Sequence, residues 1–420
     1  MKNEKNYLEE REKPFTPLLA IEEASRCLLC HDAPCSKACP AESDPAKFIR
    51  SLRFRNIKGA AETLRSNNIL SGVCARVCPT DKYCEGACSH CDIDKPIQIA
   101  KLQRYITEYE LNTNLKVLES VEITKDSIAI IGSGPSGLSA ASALVQKGYD
   151  VTVFEQREQL GGWLSYGIPS DRLPQALVDQ EIDYIKMLGV NFETNKKLGK
   201  DFSIEDLKAK GFKSILIAIG NQNGKDLDIN GINLEKVEQG CEFLAKAKTN
   251  PDSTFIGKHI VVIGGGDVAM DCASTAKRFG CEDVKVVYRR SLLEMPASPD
   301  EKSYLQDLSI PVFTGFKPHS IIGSASVEAI KAVGFKDNSE LVLPADHVLL
   351  AIGQKSDDLK DLASISILDK YKTNDDSIFV SGDCTDGDKT VVDGVKQGKD
   401  VAKLIMNYLE SSSSSKGGLK

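Results

Sequence analysis

The sequence predicts an α/β chain in three parts. A helical, cysteine-rich N-terminal domain comes first. Two nucleotide-binding domains of the Rossmann-like kind follow, the second inserted in the first. Three observations carry this reading. Nine of the thirteen cysteines fall between Cys27 and Cys91. A strand–glycine–helix–strand pattern occurs twice, over 126–155 and 259–290. A late strand, a Gly-Asp pair and a helix close the chain. At 420 residues the chain exceeds what one domain usually holds.

Composition narrows the class. With 41% hydrophobic and 27% charged residues, an ordinary soluble globular protein is expected. The start, MKNEKNYLEEREK, has no apolar core and does not read as a signal peptide. No apolar run approaches the roughly 18 residues that span a bilayer, so the expected location is cytoplasmic. A net charge of −7 disfavours nucleic acid and anionic membranes as partners. The run Arg50-Ser51-Leu52-Arg53-Phe54-Arg55 then reads as a solvated helix face.

The first domain, 1–115, is defined by its thiols. Cys27-x2-Cys30-x4-Cys35-x3-Cys39-Pro40 is one group; Cys74-x3-Cys78-Pro79, Cys84 and Cys88 form the second, with Cys91 just beyond. A reducing compartment and an odd count disfavour disulfides. Zinc sites usually pair two close ligands with a distant second pair, and His31 and His90 sit off such spacing. Cysteine runs that end in Cys-Pro are the pattern of two-cluster ferredoxins, so the spacing favours two [4Fe–4S] clusters, with zinc the alternative. Ser43-Asp44-Pro45 and Asp94-Lys95-Pro96 read as helix starts. Phe48, Leu52, Ala60 and Leu64 mark one buried face, with a possible break at Gly59. Ile99, Leu102, Ile106 and Tyr109 mark another. Metal bonds replace part of the apolar core such a domain would otherwise need. Residues 112–126 read as a polar linker.

The second part opens at the strand Ile128–Ile131, followed by Gly132-x-Gly134-x-x-Gly137 and a helix. The first glycine permits the tight turn, the second admits a pyrophosphate to the backbone, and the third lets helix and strand close. The helix N-terminus, opened by Pro135, offers N–H groups to phosphate. Glu155 ends the second strand, where an acid accepts from a ribose. The pattern returns as Gly264-Gly265-Gly266-Asp267 with Ala269 in the third glycine's place. Its second strand ends in Tyr288-Arg289-Arg290, where guanidiniums suit a 2′-phosphate; the alternative is that they only solvate a strand end. Near the C-terminus a strand leads to Gly382-Asp383 and a helix from Val391, whose N-terminus suits a flavin. Asp383 has an alternative reading as a turn residue. This is the layout of two-dinucleotide flavin reductases. FAD is expected at Gly132, Gly134, Pro135, Gly137, Glu155, Gly162, Gly382, Asp383 and Val391, and NAD(P) at Gly264, Gly265, Gly266, Asp267, Arg289 and Arg290. The stretches Ala218-Ile219-Gly220 and Ala351-Ile352-Gly353 mark where the chain passes between the folds. The expected bounds are 126–250 and 346–410 for the FAD domain, 251–345 for the NAD(P) domain, and 411–420 for a disordered tail.

Nicotinamide moves electrons in pairs, clusters one at a time, and flavin does both; the parts suit a converter of hydride into single electrons. There is no Ser–His–Asp set, zincin motif or phosphate-cleaving loop. His259, His319 and His347 read as structural or exposed, so no catalytic residue is expected in this chain. The segments FTPLLAIEEASRCLLCHDAPCSKACP, CARVCPTDKYCEGAC, PIQIAKLQRY, GGWLSYGIPSDRLP, GGGDVAMDCAST and GDKTVVDGVKQGK resemble, over nearly the whole chain, the glutamate-synthase small-subunit family of flavoproteins. The N-terminal part of dihydropyrimidine dehydrogenase shares that arrangement. The resemblance implies crossed ligation: Cys27, Cys30, Cys35 and Cys88 on one cluster, and Cys39, Cys78, Cys84 and Gln103 on the other. Cys74 and Cys91 compete with Gln103. It also implies Arg172 near the flavin and NADH as donor, whereas Arg289 and Arg290 argue for NADPH; NADH is favoured, because the resemblance spans the whole chain and an arginine there need not meet a phosphate. It further implies a hetero-oligomer with an FMN/iron–sulfur catalytic subunit that reduces uracil or thymine. The alternatives are a glutamate synthase small subunit and a general electron-transfer module.

Overall fold

The computed structural model of the chain describes residues 6–253 and 257–417. It divides into two compact units. One takes Glu12–Leu164, Gln175–Asn221 and the chain from Ser356 on; the other takes the chain up to Arg11, Ser165–Pro174 and Gln222–Lys355. Among the described residues no helix is long and apolar enough to cross a membrane.

In the first unit the helices Pro17–Arg26, Pro34–Ala38, Pro45–Arg53, Ile57–Asn67, Ser71–Val77 and Ile99–Asn112 build the cysteine-rich region. Pro45 stands at the first turn and the Asp44 side chain caps it by accepting from Lys47 N. The helix ends at Arg53, and Arg55 takes a left-handed conformation (φ 61°). The break therefore falls before Gly59, not at it: Gly59 lies inside the next helix and its N–H is capped by Asn56 Oδ1 at 2.9 Å. Phe48, Leu52, Ala60, Leu64, Ile99, Leu102 and Ile106 are fully buried together. Two expectations fail here. The last helix starts at Ile99, past Asp94-Lys95-Pro96, with Gln98 at its N-cap and no side-chain cap, so Asp94 does not cap it. Tyr109 is 39% exposed, off the buried face.

Beyond the linker lies a parallel sheet ordered Ile378–Val380, Ser214–Ile217, Ser127–Ile131, Asp150–Phe154, Asn191–Glu193. The helices Pro135–Val145 and Val391–Gly417 pack closely, with Ser139 Oγ donating to Val395 O at 2.9 Å. A Cβ at Gly398 would lie 2.3 Å from Ser136 O, so only glycine allows the approach. Val391–Gly417 runs into the stretch 411–420 that was expected to be disordered; 418–420 lie outside the described residues.

The second unit has its own parallel sheet, ordered Val237–Gln239, His347–Ala351, His259–Gly264, Asp283–Tyr288, Val312–Thr314. An antiparallel sheet of Phe316–Gly323, Val327–Gly334 and Glu340–Pro344 follows. This sheet system is wider than the span 251–345. Two of the crossings fall just after the two Ala-Ile-Gly stretches, at 221/222 and 355/356; the others fall at 11/12, 164/165 and 174/175. The strand 347–351 is buried along its whole length, as is 214–217, so its residue types alone do not say which sheet it joins. His347 and His259 are held by Glu238 (3.0 Å) and Asp283 (2.8 Å), and His319 is exposed.

Candidate cofactor sites

All thirteen cysteines are free thiols. Cys27 ends the helix 17–26, Cys35 sits in the helix 34–38, and Cys30 and Cys88 lie on the loops beside them. The four line one open pocket, with Leu28, Ala46, Ile49, Ile97 and Ile99 among its walls. Burial pushes the Cys35 thiol up to about 11, and the neighbouring Cys88 and Cys27 add to it. Cys27 is raised for the same reasons, burial first. Arg53 Nη1 donates to Cys27 O at 2.9 Å and fixes the pocket's edge.

A second group forms from Cys39, Cys74, Cys78 and Cys84. Burial raises Cys78, and the charges of Cys74, Cys84 and Cys39 raise it further. Burial lifts Cys74 to about 12. Gln103 is buried and donates Nε2 to Ser71 O at 2.6 Å, on the helix that carries Cys74 and ends at Cys78. Of the two rival thiols, Cys74 belongs to this group; Cys91 is exposed, with its Sγ against Glu85 O. The residue types could not separate them, since both lie within a few residues of the second group. Among the described residues no three His, Cys, Asp or Glu side chains close to single-ion spacing. Free thiols gathered in two groups fit iron–sulfur clusters, which draw the proton off each thiol on binding.

The flavin-type loop is built by sterics. Gly132 has φ 108°, and a Cβ there would meet Ala218 O at 2.3 Å. A Cβ on Gly137 would meet Gly132 O at 2.0 Å, while one on Gly134 would meet nothing within 4 Å. The turn is thus tight at its ends and open at its centre, which fits a pyrophosphate. No side chain caps the helix 135–145, so its first N–H groups face the opening. Glu155 is buried, and its carboxylate accepts from Ser133 N (3.0 Å), Ser133 Oγ (2.6 Å) and Arg157 N (2.9 Å). Gly162 closes on Gly134, and Gly161 N donates to Ser133 Oγ at 3.0 Å. Gly382 (φ 82°) donates to Gln397 Oε1 at 2.8 Å, beside the Ser136–Ser381 hydroxyl pair at 2.7 Å. Burial raises the Asp383 carboxyl against the pull of Lys389. Val391 begins the late helix, and Tyr83 OH donates to Asp393 Oδ2 in its first turn at 3.0 Å. These FAD candidates converge. Arg172, expected near the flavin, lies in the segment Ser165–Pro174, which is grouped with the second unit. There Asp271 takes it bidentately at 3.0 Å and Glu301 takes its Nε at 3.1 Å.

The second loop repeats the first. A Cβ at Gly264 would strike Ala351 O at 2.3 Å, one at Gly265 the Tyr288 ring at 2.3 Å, and one at Gly266 nothing. The helix 267–278 is likewise uncapped by side chains. Asp267 Oδ1 accepts from Ser298 N at 2.8 Å. Arg289 and Arg290 are exposed just past the strand 283–288, which neighbours the strand feeding the loop. Among the described residues neither guanidinium is held in an ion pair.

Residues 126–398 match the family described as pyridine nucleotide-disulphide oxidoreductase, and residues 3–115 the one described as dihydropyrimidine dehydrogenase domain II, 4Fe–4S cluster. Fold and sites define the class: an oxidoreductase in which a 4Fe–4S domain precedes an FAD- and NAD(P)-type pair of nucleotide folds. Mycobacterium tuberculosis FprA in complex with NADPH shares the fold, with a TM-score of 0.60 at 18% identity over 70% of this chain and 86% of that one. The chain is 46% identical to the NAD-dependent dihydropyrimidine dehydrogenase subunit PreT homolog of Salmonella typhi, over 98% of this chain and 99% of that one. It is 29% identical to the glutamate synthase [NADPH] small chain of Escherichia coli, over 95% and 93%. The chain belongs to the family of PreT subunits of NAD-dependent dihydropyrimidine dehydrogenase.

Proposed function

We propose that this chain is the electron-input subunit of a dihydropyrimidine dehydrogenase. It accepts hydride from NAD(P)H at FAD and passes electrons through two [4Fe–4S] clusters to an FMN/iron–sulfur partner subunit that reduces uracil or thymine to the 5,6-dihydropyrimidine. When bound, nicotinamide supplies electrons in pairs, the clusters carry them singly, and flavin exchanges both ways. Cys27, Cys30, Cys35 and Cys88 hold one cluster; Cys39, Cys78, Cys84 and Gln103 hold the other. Gln103 commits its Nε2 to Ser71 O, which leaves Oε1 as the atom for iron; Cys74 is its rival. The uncapped helix 135–145 and the open centre at Gly134 receive the FAD pyrophosphate. The loop at Gly266 does the same for NAD(P)H, with Arg289 and Arg290 beyond it. A cytoplasmic setting, where thiols stay reduced, suits thirteen free cysteines.

The observation that carries this reading is the occurrence of two separate thiol groups in the same compact unit as the Gly132 fold, the second of them beside the late helix of that fold. The isolated holoprotein should contain about eight irons per flavin, the sum of two cubanes. It should reduce an artificial dye with NAD(P)H and leave uracil untouched. Mixed with the partner, it should consume uracil and NAD(P)H one to one. Stoichiometric zinc without acid-labile sulfide would overturn the cluster assignment, and uracil reduction by the chain alone the division of labour. Turnover of 2-oxoglutarate and glutamine with a large amidotransferase, in place of uracil, would make it a glutamate synthase subunit.

A further inference from the structure

The helix Pro45–Arg53 has two working faces. Phe48, Ile49 and Leu52 are fully buried, and Ile49 with Ala46 lines the pocket of the first thiol group. Lys47, Arg50 and Phe54 stand on the other face at i, i+3 and i+7, all exposed, and Phe54 is 71% exposed. Arg55 follows, exposed as well. Among the described residues Lys47, Arg50 and Arg55 are held in no ion pair. The plain reading is a solvated helix end, with cations set against the C-terminal dipole. That reading accounts for Arg50 and Arg53. It leaves Lys47 and Arg55 unexplained, and it does not place a phenylalanine in water among unpaired cations on a chain of net charge −7.

The position of this face is the second observation. Arg53, next to Phe54, donates to the backbone carbonyl of Cys27, so the neighbour of this face is hydrogen-bonded to a residue of the first group. Leu28, between Cys27 and Cys30, lines the same pocket and is 48% exposed. The first group is thus the outer one. Tyr83, beside Cys84 of the second group, donates to Asp393 on the late helix of the flavin-type fold, and Cys74 and Cys84 are buried. A one-electron carrier discharges by close approach, so the outer group needs a surface on which a partner can seat.

We propose that Lys47, Arg50, Phe54, Arg55 and Leu28 form the docking surface for the electron-accepting protein, and that this partner presents an acidic patch with an apolar recess for Phe54. This rests on the electron-export reading above. An aromatic anchor ringed by arginines is the composition that concentrates binding energy at protein interfaces. The cations steer encounter, and salt screens them.

The test uses the holoprotein and the purified FMN/iron–sulfur partner subunit. Arg50→Glu with Arg55→Glu, and separately Phe54→Ala, should leave NAD(P)H-driven dye reduction, iron content and flavin content unchanged. With the partner at low salt, the double charge reversal should lower the rate of association and the kcat/KM for partner at least tenfold, and the wild-type advantage should shrink in high salt. Phe54→Ala should raise the partner's dissociation constant about tenfold at any salt. Undiminished coupling in both variants, while the wild type turns over uracil, would overturn the surface alone. No uracil turnover by the wild type would overturn the export reading and the surface with it. Binding of duplex DNA or anionic vesicles that the charge reversal abolishes, with partner coupling intact, would assign these cations elsewhere and overturn the proposal.

Discussion

In the first nucleotide-binding fold the second strand ends in Glu155, buried and tied back to Ser133 and Arg157. In the second it ends in Tyr288-Arg289-Arg290, where the ring packs on Gly265 and both guanidiniums stand in solvent. The turns that precede these ends are near copies: Gly132 and Gly264 face a carbonyl, and Gly134 and Gly266 face open space. Backbone sterics dictate the turn, so it repeats. Nothing in the backbone dictates the strand end, so chemistry is free to differ there. A preformed acid favours a ribose, and free cations favour a phosphate. The third position of the turn differs too, Gly137 in one fold and Ala269 in the other, and this difference offers the sharpest test.

Gly137→Ala should be the most damaging change, because its methyl would lie 2.0 Å from Gly132 O. A loss of about 3 kcal/mol in chemical denaturation is expected, together with loss of flavin. The second fold already carries alanine there, and Ala269→Gly should cost only about 1 kcal/mol through helix propensity. Equal effects would mean that the two turns are not built differently. Gly134→Ala separates folding from binding: with nothing within 4 Å of the new methyl, the melting temperature should hold while purified protein loses its FAD. Retained stoichiometric flavin would place the pyrophosphate elsewhere.

At the strand ends, Arg289→Ala should lower kcat/KM for NADPH about tenfold, or about 1.4 kcal/mol, and leave NADH unchanged. An equal fall for both nucleotides would reduce the arginine to a solvated strand end. The smallest expected effect lies where the chain enters and leaves each fold. The first fold uses neutral groups there, Ser214 Oγ on Ser377 O and the Ser136–Ser381 pair. The second uses Glu238 on His347. Burial pushes the Glu238 carboxyl up, but His347 and Lys246 outweigh it and hold it below its usual value. A depressed carboxylate stabilises the fold above its unfolded pKa of about 4.3 and loses that contribution as pH falls through the folded value. Glu238→Gln should therefore cost about 1 kcal/mol at pH 7, with the gap closing on acidification below the usual glutamate range. A gap that persists at low pH would show that the pair's charge contributes nothing.

Local rules were legible from the residues. Asp44 before Pro45 caps a helix because a short acceptor reaches the free N–H groups of the first turn. The glycine turns were readable because only glycine clears the facing carbonyls, and two of the chain crossings fall just after the Ala-Ile-Gly stretches. The expected bounds 250/251 and 345/346 leave outside them the strands Val237–Gln239 and His347–Ala351, which join the sheet of the second unit. Choosing which sheet a fully apolar strand joins depends on neighbours that its own residues do not name.

The sequence by itself determined that there would be two glycine turns of one design, many thiols in one helical region and an acid or arginines at the strand ends. These follow from residue type and spacing over a few positions. Spacing alone left open which thiols meet; the resemblance implied Cys88 with Cys27, Cys30 and Cys35, and the tertiary structure puts these four around one pocket and places Cys74 rather than Cys91 in the second group. It also decided that Gln103 is buried against Ser71, and that Arg172 is held by Asp271 and Glu301. Each of these pairs residues far apart in the chain. Their meeting depends on how helices pack and where chain crossings fall, and spacing along the sequence carries no record of either.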